Sequence, residues 1–444
     1  MQKTTGLSTL ALVLLITGAI DNIRNLPTTA LFGSSLIFFF IFSAIVFLIP
    51  IALVSAELSG TSKEKGGIYH WTYLAFGEKI AFLSVWLQWI NTMVWFPTIL
   101  SFIAGTATYF INPELAQNKF FLVTMILSVF WLMTFINLKG VHVSVKFANI
   151  CSFVGMVLPL GLIIVLAIVW IFLGKPLQIH FTGSDLIPNL GQSNNWISLT
   201  AIMTAFLGIE LATVHIKEVN TDKNRFPKAL AISVVLILVT MILGALAIAI
   251  VLPKNDINLT VGVIQAFTNF FSAYHMGWMI PVITVMLLIG SLGGMTSWII
   301  SPAKGLLQAA ESGFLPRYFT RYKNLLILQA ILVTLICLAF LLMPSVNGSY
   351  WLLTALSTEL YVLMYVLMFF AGIYLKRKLW PICLLGLIGC GITLLVGFIP
   401  PSGIDVGSKL HYEIVFSLGL LVMIAPVIFF YLYKARTALI YSTA

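Results

Sequence analysis

The sequence predicts an all-α membrane protein with twelve transmembrane helices. Of its 444 residues, 60% are hydrophobic and only 9% are charged, and the mean hydropathy is +1.06. A soluble domain has about a quarter of its residues charged. Apolar runs of roughly 20 residues, the length that spans a bilayer, recur along the chain. Most basic residues lie in the short segments between those runs, as is typical of a multi-pass membrane protein.

The apolar windows place the twelve spans in order. Residues 255–274 begin polar and continue with an amphipathic pattern, which predicts a short helix on an external loop rather than a further span. The predicted spans are residues 7–32, 35–58, 79–111, 120–138, 147–173, 196–217, 227–252, 278–311, 325–343, 350–375, 379–399 and 412–433.

The first and sixth spans are predicted to be broken. The first apolar run meets Asp21 and Arg24 before it resumes at Leu26, and the sixth meets Gly208 and Glu210. Charge at membrane depth is costly, and unwound backbone is tolerated there only beside protein or a watery cavity. Paired interrupted spans in corresponding halves of a chain point to the binding site of a transporter.

The distribution of basic residues predicts the orientation. With the N-terminus inside, 19 of the 24 lysines and arginines lie on the inner side, so both termini are expected in the cytoplasm. Spans 1–5 and 6–10 then have opposite topology, although their residue identities show no repeat. We expect a first inverted repeat over residues 1–176, a second over 177–378, and accessory spans over 379–444.

The ionisable residues inside the spans are the candidates for chemistry. Asp21 and Arg24 either form a local ion pair that holds the first break together, or they face the ammonium and the carboxylate of a substrate. Glu210 either takes a proton or meets a substrate cation, or it tethers the unwound segment. Glu359 either lines the site or tethers helices. The acidic excess indicates a cationic group in the substrate, or a proton.

Other features have weaker functional interpretations. His215 is a candidate switch, because histidine changes charge near neutral pH, but a histidine at a helix end is more often structural. The small residues from Gly290 to Gly294 indicate close helix packing, with helix movement or ligand approach as the alternative. Tryptophans near the span ends are expected to be mainly interfacial anchors. These are Trp71, Trp86, Trp89, Trp95, Trp170, Trp278, Trp351 and Trp380.

Several function classes are excluded or disfavoured. The net charge of +10 is not arranged as a basic stripe with stacking residues, so nucleic-acid binding is not expected. The four cysteines lie in apolar runs without metal-ligand spacing. The sequence has no phosphate-binding loop, nucleophile elbow or zinc motif. We therefore expect no enzyme, no ATP-driven pump, no metal and no cofactor.

Four stretches carry a resemblance to a known family. They are Glu57-Leu-Ser with Lys65-Gly-Gly-Ile-Tyr-His-Trp71, Phe206-Leu-Gly-Ile-Glu210 with His215-Ile-Lys-Glu218, Leu252-Pro-Lys-Asn-Asp-Ile-Asn-Leu259, and Ser297-Trp-Ile-Ile-Ser-Pro302. Together they resemble the amino acid–polyamine–organocation transporters, and among these the bacterial glutamate/GABA antiporters. The resemblance covers nearly the whole chain.

The resemblance implies a LeuT-like fold of 5+5 inverted repeats, alternating access, and a site between spans 1, 3, 6, 8 and 10. It places the coupling or gating glutamate on Glu210 and the aromatic residue before the second break on Phe206. The glycine-serine-glycine of related arginine/agmatine exchangers is replaced by Asp21-Asn22-Ile23, and their gating tryptophan falls on Met295. Taken together with the ionisable residues inside the spans, the candidate substrate-binding residues are Asp21, Asn22, Ile23, Arg24, Phe206, Gly208, Met295 and Glu359, and the candidate coupling or gating residues are Glu210 and His215.

The expected function is exchange of amino acids of the glutamate/GABA type across a bacterial inner membrane. The partners are then an amino acid substrate, the lipid bilayer and in some schemes protons, in a monomer or homodimer. Proton-coupled uniport or symport of basic amino acids or polyamines is the alternative. An amino-acid sensor with a transporter fold, or a channel, is the alternative from another class.

Overall fold

The structure is a computed structural model that describes residues 9–20, 22–59, 67–139, 150–151, 153–211 and 225–442. Asp21 and His215 lie outside these residues. Throughout the described ranges the regular elements are helices. In chain order the α-helices are α1 (Thr9–Ile20), α2 (Leu26–Ala30), α3 (Leu36–Ser43), α4 (Ile49–Ser59), α5 (Ile68–Phe76), α6 (Glu78–Ala107), α7 (Lys119–Leu138), α8 (Leu158–Phe172), α9 (Gly183–Leu186), α10 (Ser193–Trp196), α11 (Ser198–Phe206), α12 (Arg225–Val251), α13 (Gly262–Ala273), α14 (Met279–Glu311), α15 (Tyr322–Cys337), α16 (Ala339–Leu342), α17 (Val346–Leu375), α18 (Trp380–Val396), α19 (Lys409–Ile424) and α20 (Pro426–Ser442).

Within the described residues, the apolar helices coincide in position with eleven of the twelve predicted spans, and the first predicted span, residues 7–32, is not among them. Within the described ranges, nine helices are long and apolar enough to cross a membrane, and two more apolar helices are shorter. The nine are Gly33–Ser59, Glu78–Phe110, Lys119–Leu138, Phe153–Phe172, Lys228–Val251, Tyr322–Leu342, Val346–Leu375, Arg377–Val396 and Lys409–Arg436. The shorter two are Ser198–Leu211 and Met279–Gly293, which correspond to the sixth and eighth predicted spans.

Helices form here because a backbone in lipid must satisfy its own hydrogen bonds. Several helices begin directly after a polar side chain that caps their first turn. The Asn118 side chain accepts from the N–H of Phe121 at 3.1 Å where α7 begins. The Ser345 hydroxyl accepts from the N–H of Gly348 at 2.9 Å where α17 begins. Such caps satisfy N–H groups that have no partner inside the helix.

Helices α6 and α17 form the centre of the bundle. Nearly every residue along the middle of both helices is buried. Two contacts fix their relative direction: the Gln88 amide lies 3.3 Å from the Tyr361 hydroxyl, and the Asn91 amide donates to the Ser357 carbonyl at 2.9 Å. From the first contact to the second, the residue numbers rise along α6 and fall along α17. The two helices are therefore antiparallel. By contrast, the helix Lys409–Arg436 has only 11% of its apolar window buried and lies at the periphery.

A close contact between two helices explains why α14 has a glycine at position 290. Gly290 lies against Gly155 in the π-helical segment Phe153–Val157, with backbone so near on both sides that neither position has room for a Cβ. Small residues allow this approach between membrane helices. The packing interpretation is therefore confirmed at Gly290.

The amphipathic pattern of residues 255–274 is confirmed as a short helix, α13. Its apolar residues Val263, Ile264, Phe267, Phe270 and Phe271 are all buried.

The expectation for the tryptophans is wrong at four positions. Trp71, Trp86, Trp89 and Trp351 are buried inside the bundle rather than placed at a surface. The Trp89 N–H donates to the Gln329 amide oxygen at 2.9 Å, and the Trp351 ring meets the Phe32 ring edge-on. Large aromatic side chains fill the space between helices here.

Candidate functional site

The second break lies between α11 and a short helical turn. Helix α11 ends at Phe206, Leu207 is extended (ψ 139°), and Gly208 has φ +98°. Only glycine adopts that φ without strain. The Leu211 N–H then bonds to the Gly208 carbonyl at 3.0 Å, which closes a new turn over residues 209–211. Gly208 therefore permits the chain to leave the helix at this depth.

Glu210 is held in this turn by side chains from two other spans. The Tyr361 hydroxyl donates to Glu210 Oε1 at 2.6 Å, and the Tyr365 hydroxyl donates to Oε2. The Gln88 amide lies 3.4 Å from Oε1. Glu210 is only 3% exposed. We call Glu210, Gln88, Tyr361 and Tyr365 the carboxylate cluster.

Tyr365 also contacts the backbone at the break. The Gly208 N–H, which has lost its helical acceptor, donates to the Tyr365 hydroxyl at 3.0 Å. Tyr361 and Tyr365 are four residues apart on α17, so they share one face of that helix. The carboxylate cluster therefore ties the sixth span to α6 and α17 through a single acidic side chain.

The first break places a cation in a buried position. Helix α1 ends at Ile20, Asn22 is extended, and the chain resumes as a 3-10 turn, Ile23–Asn25, followed by α2. The Asn22 side chain accepts from the Arg24 N–H at 3.3 Å and so caps that turn. Ile23 is buried beside it.

Arg24 is 4% exposed, and its guanidinium carbon lies 3.9 Å from the ring centre of Trp95 on α6. Its Nε has no hydrogen-bond partner among the described residues. Tyr350 of α17 lies near the guanidinium. Arg24, Trp95 and Tyr350 together are the guanidinium cluster.

The remaining predicted residues are placed differently. Phe206 is buried and meets the Phe40 ring edge-on at 5.7 Å. Met295 is buried on α14, which packs against α6. Neither adds a polar group to the carboxylate cluster.

Glu359 does not join either cluster. Its neighbour Thr358 bonds to Thr204 of α11, but the Glu359 carboxylate packs against Gly397 at the end of α18. Residues two apart on a helix point about 200° apart, so Glu359 and Tyr361 face opposite sides of α17. Glu359 is fully buried, and neither of its oxygens has a hydrogen-bond partner within the described ranges.

Five residues of the clusters were not anticipated from the sequence. Four of them carried no signal beyond being polar or aromatic in an apolar span, namely Gln88, Tyr350, Tyr361 and Tyr365, and Trp95 was expected at the membrane surface. The four-residue spacing of the two tyrosines was readable, but their partner lies more than 150 residues away.

Comparison with known proteins decides the family. The family model for "Amino acid permease" matches residues 7–425. This chain belongs to the amino acid permease family. It is thus a multi-pass transporter of that family and not an enzyme.

Individual relatives agree with this assignment. An uncharacterized transporter of Legionella pneumophila is 37% identical over 440 residues, covering 94% of this chain and 95% of that protein. A glutamate/gamma-aminobutyrate antiporter of Lactococcus lactis is 28% identical, covering 92% and 87%.

A manganese transporter from Eremococcus coleocola has a similar structure, with a TM-score of 0.59 over 96% of this chain and 94% of that chain, at 14% identity. At this identity the likeness shows a shared fold and nothing about cargo.

Proposed function

We propose that this permease is a secondary transporter that exchanges amino acids of the glutamate/GABA type across the inner membrane by alternating access. The observation that carries the proposal is the buried Glu210, set at a helix break and held by side chains from two other spans. The relative named as a glutamate/gamma-aminobutyrate antiporter supports the substrate type.

Glu210 suits the ammonium end of a substrate. Its carboxylate accepts from two phenols and lies near one amide, which are neutral donors, and a substrate ammonium is a stronger partner for a charged acceptor. An ammonium that displaces the tyrosine hydroxyls would loosen the link between the sixth span and α17. A ligand shifts a conformational equilibrium only through such a difference in contacts between two states.

We place this site in a twelve-span arrangement with both termini in the cytoplasm. Residues 1–176 and 177–378 form two inverted repeats, and 379–444 form accessory spans. The two broken helices open the two repeats, and Asn22, Ile23 and Gly208 lie at the breaks at the midplane, with Phe206 at the helix end before the second break. Met295, on the eighth span, lines the wall of the proposed substrate site. Asp21 and His215 keep their expected substrate and coupling roles in this scheme, and Glu210 is the residue that couples or gates.

Counterflow into proteoliposomes tests the function. Vesicles preloaded with one unlabelled amino acid should take up labelled glutamate or GABA, and Glu210→Gln should abolish that uptake. The control Glu413→Gln removes a partly exposed carboxylate that pairs only locally with Lys409, and it should exchange like the unchanged protein.

Three results would contradict the proposal. Uptake driven by a pH gradient without a counter-substrate favours proton-coupled symport of basic amino acids or polyamines. Currents without counter-substrate indicate a channel. Ligand binding with no exchange under any gradient indicates a sensor with a transporter fold.

A further inference from the structure

We infer that Arg24 binds a substrate carboxylate, and that the substrates are amino acids in which a carbon chain separates a carboxylate from the ammonium. This inference rests on the proposed function, in which Glu210 receives the ammonium. It names the second anchor of the substrate and the chemical class that fits both anchors.

Arg24 has a buried charge without a counter-charge among the described residues. It is 4% exposed, its Nε lacks a hydrogen-bond partner there, and none of the ion pairs within those residues includes it. Burying an unpaired charge is costly. An anion that enters from solution would supply a counter-charge, and the planar guanidinium matches a carboxylate in a two-point contact.

Trp95 leaves the guanidinium available for that contact. With the guanidinium carbon 3.9 Å from the ring centre, the cation lies on the face of the indole. This contact occupies one flat side of the guanidinium, whereas its N–H groups point outward in its plane. Trp95 thus positions Arg24 without using the donors that a carboxylate needs.

The guanidinium cluster and the carboxylate cluster lie along one wall of the bundle. Trp95 is seven residues after Gln88 on α6, and Tyr350 is eleven residues before Tyr361 on α17, spacings that return to the same face of a helix. Since α6 and α17 are antiparallel, both offsets run in the same direction. At 1.5 Å per residue the offset is about 10 Å along α6 and about 16 Å along α17.

This separation selects among substrates. The ammonium and carboxylate of an α-amino acid share one carbon, so this pair of charges suits anchors held at different heights along α6 and α17 less well than widely spaced charges do. A γ-amino acid, or an acidic amino acid that uses its side-chain carboxylate, has its charges farther apart. A diamine would place a second cation against Arg24, where like charges repel.

Exchange assays on Arg24 variants test the inference. In proteoliposomes, Arg24→Gln should raise the KM for labelled glutamate and GABA about tenfold to a hundredfold, the usual effect of losing a charge-assisted pair. Arg24→Lys keeps the charge but loses the planar guanidinium. Its KM should therefore lie between those of the unchanged protein and of Arg24→Gln. Labelled putrescine should not be exchanged by the unchanged protein.

Lys434, near the C-terminal end of the chain, offers a matched control. Lys434 also lies 3.9 Å from an aromatic ring centre, that of Phe314, but it is paired with Glu78. Lys434→Gln removes the same charge from the same kind of contact and should leave the KM for glutamate and GABA unchanged.

A second comparison separates substrate binding from a local ion pair. If Arg24 only neutralises Asp21, the double variant Asp21→Asn/Arg24→Gln should recover the wild-type KM, and the inference is overturned. We expect the double variant to stay defective.

A binding measurement distinguishes the two proposals. In detergent, glutamate or GABA should raise the melting temperature of the unchanged protein and of Lys434→Gln, but not of Arg24→Gln. Protection without any exchange would refute the transport function while supporting carboxylate binding. Equal protection of Arg24→Gln, or efficient putrescine exchange by the unchanged protein, would refute the role of Arg24 and leave amine or amino acid transport intact.

Discussion

Removing the hydroxyl of Tyr365 should destabilise the protein more than removing the hydroxyl of Tyr361. The Tyr365 hydroxyl has two partners on the broken span: it donates to Glu210 Oε2 and accepts from the Gly208 N–H at 3.0 Å. The Tyr361 hydroxyl donates to Oε1, where the Gln88 amide also lies within 3.4 Å. The two tyrosines thus differ in what their loss leaves unpaired.

The expected magnitudes follow from those partners. A hydrogen bond to a charged group contributes about 1.5–3 kcal/mol, and a buried N–H left without a partner costs about 1–3 kcal/mol. Tyr365→Phe loses that hydrogen bond and also leaves the Gly208 N–H unpaired, so it should cost about 2.5–6 kcal/mol. Tyr361→Phe leaves Gln88 beside the same oxygen and should cost about 1.5–3 kcal/mol.

Unfolding of the purified protein in mixed micelles, titrated with a denaturing detergent, measures both free energies. Tyr374→Phe is the control, because Tyr374 is on the same helix and 68% exposed. It should change the free energy of unfolding by no more than about 0.5 kcal/mol. In a Glu210→Gln background, the cost of Tyr361→Phe should shrink, because the charged acceptor is gone.

Equal costs for Tyr361→Phe and Tyr365→Phe would refute the reasoning, since they would mean that the Gly208 N–H does not depend on Tyr365. A Tyr365→Phe variant as stable as Tyr374→Phe would refute the whole arrangement of the carboxylate cluster.

Three further predictions follow from the packing. Gly208→Ala should lower the free energy of unfolding by about 1–3 kcal/mol, because alanine is strained at φ +98°; an unchanged melting curve would contradict this. Gly290→Ala should lower the melting temperature clearly, because its Cβ would meet the backbone at Gly155, whereas Gly391→Ala, which has open space, should not. Glu359→Gln should keep amino acid exchange, because this side chain faces away from the carboxylate cluster; loss of exchange with normal folding would instead assign Glu359 to the site.

The clusters show where local sequence information ends. The break at Gly208 was predictable, because a glycine and a charge inside an apolar run are unfavourable for a continuous membrane helix. The role of Glu359 was not, because its acidic side chain gives the same signal in sequence as Glu210 does. Only the rotation of α17 separates them, with Tyr361 turned toward Glu210 and Glu359 turned toward Gly397.

The sequence alone determined that this protein is a bundle of membrane helices, where most of those helices lie, and that two of them are interrupted. These properties depend on the length and polarity of continuous segments, which are local. The tertiary structure alone decided which side chains meet at the interruptions: Gln88, Tyr361 and Tyr365 around Glu210, and Trp95 against Arg24. In lipid, apolar helices are solvated on every face, so the pattern of apolar residues does not specify which faces pack together.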